Sequence, residues 1–96
     1  MIEVPAQSLL TIKAILKKYF PECEVRVFGS RITGKAKKYS DLDLAIIGKG
    51  RLARDRFYQM KEDFENSDLP FRVDVLDWHA LSDEFQRVIE KQYEVL

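Results

Sequence analysis

The chain has 96 residues, enough for one domain with a real core but too few for a catalytic domain plus a separate substrate domain. Sixteen basic and sixteen acidic side chains cancel, so no overall field draws the protein to nucleic acid or to an anionic membrane. The single Cys23 excludes an internal disulfide, no stretch approaches the roughly 20 apolar residues of a membrane span, and no signal-peptide pattern opens the chain; the expectation is a soluble cytoplasmic domain spanning 1–96.

Pro5 and Ser8 precede Leu9, Ile12, Leu16 and Tyr19, whose three- and four-residue spacing predicts a helix that Pro21 closes. Leu10, Ile15 and Phe20 widen the apolar stripe, as in a helix packed between neighbours or one with a partner-facing edge. Glu24 to Phe28 alternates polar and apolar like a half-buried strand that Gly29 ends. From Ser30 to Lys38 the chain carries Gly34, little apolar content and a local basic patch of Arg31, Lys35, Lys37 and Lys38, read as a short helical turn and a loop. Asp41 to Ile47 (DLDLAII) predicts a central strand, and Gly48-Lys49-Gly50 breaks it.

Leu52, Ala53, Phe57, Met60 and Phe64 recur at helix spacing, so a helix is predicted to about Asn66. Ser67 to Pro70 is a turn, and Phe71 to Leu76 a third strand. Ser82 and Asp83 suit a helix start, with Phe85, Val88, Ile89 and Tyr93 expected on one face. The order helix, strand, turn-helix, strand, helix, strand, helix gives an α/β (α+β) domain, a small sheet covered by helices.

The chemistry is concentrated in Gly29-Ser30 and, after ten intervening residues, Asp41-Leu42-Asp43. Side chains alternate along a strand, so Asp41 and Asp43 share a face while Leu42 and Leu44 take the other. If the third strand lies beside this one, Asp74 joins them. Two bare carboxylates about 4 Å apart repel by roughly 1 kcal/mol in water and about 4 at intermediate dielectric, so such a cluster calls for cations. Magnesium suits it, held by one or two carboxylates plus substrate phosphates, and paired ions stabilise both oxygens of an in-line displacement. Gly29 permits close approach of backbone to phosphate, and Ser30 can donate to its oxygens. Ordinary surface acids at strand ends are the bland alternative. Asp77 is a rival third acid but lies three positions on, facing the other way, where it ends the strand.

Gly29 to Lys35 also reads G-x-x-x-x-G-K, yet Ala36 stands where a P-loop needs Ser or Thr, and the chain is too short for that fold's parallel sheet. His79 reads as a surface residue, Cys23 as a structural thiol, and Trp78 and Tyr93 as packing residues. Tyr39, next to Ser40, keeps base stacking open.

Gly29-Ser30-Arg31, Gly34 and Ser40-Asp41-Leu42-Asp43-Leu44 resemble the signature of the DNA polymerase β-like nucleotidyltransferase superfamily, and within it the minimal nucleotidyltransferases (MNT proteins). The likeness runs on through Arg72 to Trp78 into the last helix. It implies a polymerase β palm-like core of mixed sheet, with Asp41, Asp43 and Asp74 as catalytic ligands of two magnesium ions. Gly29, Ser30 and Ser40 would belong to the nucleotide site, with Arg31 and Lys35 offsetting phosphate charge or standing as solvated bases. The implied reaction is attack by an acceptor hydroxyl on the α-phosphorus of ATP or another nucleoside triphosphate. MNT proteins commonly pair with a helical HEPN protein as antitoxins, in some cases transferring AMP to it. Two alternatives stay open: an antitoxin that neutralises its partner by contact alone, and transfer to a small molecule at a site completed by a partner subunit. Polynucleotide synthesis fits poorly with zero net charge and no strand-binding extension.

Overall fold

The computed structural model describes residues 2–96. Helix α1 (Ala6–Tyr19) leads into β1 (Glu24–Phe28), the one-turn α2 (Ser30–Thr33), β2 (Leu42–Ile47), α3 (Arg54–Glu65) and β3 (Val73–Asp77). A 3-10 turn (Trp78–Ala80), α4 (Asp83–Lys91) and the two-residue β4 (Glu94–Val95) complete the order. The four strands form one mixed sheet in the order β3-β2-β1-β4. β1 is antiparallel to both β2 and β4, whereas β2 and β3 run parallel. The sheet is small and helix-covered, as the alternation of elements predicts, and mixed, as the family resemblance implies.

Strand periodicity divides the core between the two faces. Val25, Val27, Leu42, Leu44, Ile46 and Val75 form one buried layer, on which α1 sets Ile12 and Leu16 and α3 sets Met60 and Phe64. Each fully buried side chain of this kind contributes about 1.5–3 kcal/mol, so this layer holds the domain together. Tyr19 Oη donates to Asp63 Oδ2 at 2.7 Å, tying the end of α1 to α3. The second face is thinner, with Ala45, Trp78 and Ile89 buried and Phe28, Ile47, Leu81 and Tyr93 packed around them. It is covered only in part by α4 and the 3-10 turn, and it is the face on which Asp43 stands.

Several details depart from the sequence reading, the unpredicted β4 and the start of α3 at Arg54 among them. β2 begins at Leu42, so Asp41 lies just outside it. β3 begins at Val73 and runs through Asp77. α4 ends at Lys91, so Tyr93 leaves the helix and stacks its ring 4.3 Å from the Arg26 guanidinium carbon. Phe85 and Val88 are exposed rather than core-facing, and only Ile89 is buried from that helix. Ser82 does cap α4, its Oγ accepting from the Phe85 N–H at 3.1 Å.

Candidate active site

Parallel pairing of β2 with β3 puts Asp43 directly opposite Asp74. Neighbouring strands lie about 4.8 Å apart and opposed residues share a face, so the two carboxylates emerge side by side. Asp43 is also opposite Phe28, the last residue of β1, and so sits beside the turn that follows. That turn is Gly29, with φ +81° and ψ −158°, a conformation open essentially to glycine alone. A Cβ built there would lie 2.3 Å from Asp43 Oδ2. The glycine therefore serves twice, by turning the chain into α2 and by leaving room for the carboxylate.

Asp41 is half-exposed and its Oδ2 lies 3.9 Å from Arg72 Nε. Burial pushes the Asp43 carboxyl up to about 6, with the charges of Asp74 and then Asp41 adding to the rise and Arg72 opposing it. Asp74 and Asp41 thus both bear on Asp43, and Arg72 is the cation that opposes them. Arg72 has a signal in the sequence that the motif reading passes over: it stands two residues before Asp74, just ahead of β3. Asp74 also opens onto a cleft of about 500 Å³ between the end of α3 and the approach to β3, where Lys61, Glu65 and Arg72 supply charge.

Hard carboxylate oxygens whose negative charge Arg72 offsets only in part suit a divalent cation. Among the described residues no three His, Cys, Asp or Glu side chains enclose an ion by themselves. The set is instead a paired Asp43 and Asp74 with Asp41 alongside, and that pattern leaves positions for water and substrate phosphate, as magnesium sites do. Residues present and group implied therefore fit.

The remaining candidates divide. Ser30 opens α2, one residue after the Gly29 turn that abuts Asp43. Ser40 Oγ accepts the Lys37 N–H at 2.8 Å and so shapes the loop before Asp41. Lys35 stands exposed on that loop. Arg31 is 5% exposed and donates to three backbone carbonyls, so its guanidinium points into the protein and away from a phosphate role. Asp77 ends β3 and faces away from Asp74; its two oxygens accept from the Leu52 and His79 backbone N–H groups, a purely structural use. Residues 30–33 form a helical turn, so the G-x-x-x-x-G-K pattern folds as no phosphate-wrapping loop. His79 is exposed with Nε2 2.8 Å from the Gly48 carbonyl, Trp78 is buried, and Tyr39 is exposed. Burial raises the Cys23 thiol, in keeping with a structural role.

Residues 11–96 match the family described as "Polymerase beta, Nucleotidyltransferase", and the chain belongs to it. Within that family it is 49% identical over 98 residues to the probable protein adenylyltransferase MntA of Haemophilus influenzae, covering 99% of this chain and 83% of that protein. It superposes with a TM-score of 0.74 on a solved toxin–antitoxin with AMP-PNP, at 22% identity over 90% of this chain and 69% of that one. A variant of the toxin–antitoxin MntA-HpeT superposes with a TM-score of 0.72, at 20% identity over 97% and 72% of the two chains. At these identities the two structures show the shared fold. No helix of the described residues is long and apolar enough to cross a membrane.

Proposed function

We propose that the chain is a single minimal nucleotidyltransferase domain that moves AMP from ATP to a hydroxyl of a helical HEPN-type partner in the cytoplasm. It acts thereby as the antitoxin of a toxin–antitoxin pair. The observation that carries this reading is the seat of Asp43, opposite Asp74 and against Gly29, in a chain 49% identical to a probable protein adenylyltransferase. The choice of adenine and of a protein acceptor rests on that relative, and the toxin–antitoxin pairing on the solved structures of the same fold.

Magnesium, held by Asp41, Asp43 and Asp74, would supply Lewis acidity and offset the charge that builds on the triphosphate during an in-line displacement. Gly29 lets the backbone of the turn approach the phosphates, and Ser30 and the exposed Lys35 donate to them. Arg72, beside the acids, adds a positive charge at the same mouth. An acceptor hydroxyl approaches the α-phosphorus from the thinly covered face on which Asp43 and Asp74 stand. Its oxygen forms the new P–O bond, the bond to the β-phosphate oxygen breaks, and pyrophosphate leaves. Asp74 would take up the hydroxyl proton.

An antitoxin working by contact alone would gain nothing from a half-buried acid pushed up to about 6 by burial and then by its acidic neighbours, an arrangement that weakens the fold. The test is ATP labelled on its α-phosphate, incubated with magnesium, the chain and its HEPN-type partner, with Asp41→Asn/Asp43→Asn as control. Label on the partner only with intact acids supports the proposal. A tight complex that never becomes labelled overturns it in favour of neutralisation by contact.

A further inference from the structure

Arg31 is the most deeply buried charge among the described residues, and no carboxylate partners it. Its Nε donates to the Ser40 carbonyl at 3.0 Å, Nη2 to Lys38 at 3.1 Å and Nη1 to Glu3 at 2.8 Å. The guanidinium carbon lies 4.2 Å from the centre of the Phe71 ring. The Arg31 carbonyl in turn accepts the Glu3 N–H at 2.7 Å. Guanidinium suits this task because its planar fork offers several donors in fixed directions and stacks on a ring, which an ammonium cannot do.

The points it holds are the supports of the candidate site. Arg31 follows Ser30 in the phosphate-side turn. Ser40 immediately precedes Asp41, and Phe71 lies three residues before Asp74. The β2 and β3 approaches are further joined where the Leu42 N–H donates to the Arg72 carbonyl at 2.9 Å. The cation that bears on the Asp43 carboxyl is Arg72, whereas Arg31 is absent from that balance.

We infer that Arg31 is a positioning residue: from beneath the site, its guanidinium locks the Gly29-Ser30 turn, the loop before Asp41 and the approach to Asp74 in one register. The inference deepens the nucleotidyl-transfer reading and rests on it for the kinetic consequence, whereas the structural consequence stands without it. Loss of the fork leaves three carbonyls unpaired and frees the 35–41 loop to move. A residue that misplaces reacting groups by about 1 Å loses on the order of 10²-fold in rate.

The experiment compares Arg31→Lys and Arg31→Met with the parent by amide hydrogen exchange, by binding of Mg–ATP and by single-turnover transfer. Exchange over residues 37–42 should rise about tenfold or more in both variants while the α1–α3 core keeps its protection. The rate of transfer should fall on the order of 10²-fold, with a smaller change in Mg–ATP affinity. A lysine variant that binds and transfers like the parent, while only methionine fails, would show that the charge alone matters and overturn the inference. So would unchanged exchange over 37–42. If both variants unfold, Glu3→Pro loosens the same clamp by removing the N–H that the Arg31 carbonyl accepts; faster exchange over 37–42 then supports the inference and unchanged exchange refutes it. Should the parent transfer nothing at all, the exchange result still decides whether Arg31 locks the loop, and the transfer reading fails separately.

Discussion

Replacing Gly29 by alanine perturbs the candidate site at its tightest point. The backbone there, φ +81° and ψ −158°, would strain any L side chain by about 1–3 kcal/mol. The new methyl would also stand 2.3 Å from Asp43 Oδ2, so the carboxylate has to retreat by about 1 Å, a scale that loses on the order of 10²-fold in rate. Gly34 provides the matched control. Its φ is +80°, in the left-handed region at a strain of about 1–2 kcal/mol for alanine, but nothing lies within 4 Å of its would-be Cβ. Both variants should lose about 4–8 °C in Tm per kcal/mol in thermal unfolding followed by circular dichroism. Only Gly29→Ala should lose transfer of α-labelled phosphate. In an Asp43→Ala background the clash disappears, so the added effect of Gly29→Ala on stability should shrink to its strain alone. A Gly29→Ala protein that transfers at the parent rate, or a Gly34→Ala protein that loses as much, would refute the reasoning.

The remaining predictions concern the acids. The Asp43 carboxyl titrates near 6 in the fold against an ordinary 3.8, so its contribution to stability is fully present below about 4 and lost as pH rises through about 6. After allowance for solvent screening, urea unfolding in chelator should show the parent losing about 1–2 kcal/mol relative to Asp43→Asn between pH 4 and 7. A parent that gains on the variant across that window would contradict the sign. Asp74→Asn should abolish transfer yet leave Tm nearly unchanged. Asp77→Ala should do the reverse, losing about 1–2 kcal/mol with the backbone N–H groups it caps while transfer stays intact, checked by parallel melts and assays.

The parts of this molecule that obey a period were legible in the sequence. Leu42, Leu44 and Ile46 alternate with Asp43 and Ala45, and the pattern carried both the strand and the sharing of a face. The pairing of Asp43 with Asp74 needed one further fact, that β2 and β3 are parallel neighbours, and local sequence does not state which strands pair. Arg31 was misread for a related reason. In a run with Lys35, Lys37 and Lys38 it looks like one more solvated or phosphate-facing base, because its burial depends on Glu3 and Phe71, far away along the chain. β4 is only Glu94–Val95, too short for any alternation, and exists because Arg26 and Val27 offer it an edge. Tyr93 and Val88 sat at helix spacing, but the helix stops at Lys91 and turns Val88 to solvent, since the second face of the sheet offers α4 only a small surface.

In the proposed reaction this site breaks the α–β bond of ATP and leaves AMP on another protein's hydroxyl. The most direct measurement runs the reaction twice, with ATP labelled at the α-phosphate and at the γ-phosphate, and follows label on the HEPN-type partner. Label retained from the α position alone, lost with Asp41→Asn/Asp43→Asn, is the predicted result. Label retained from the γ position would mean phosphoryl transfer, and no label from either would mean that the acids do not act on ATP; each contradicts the account.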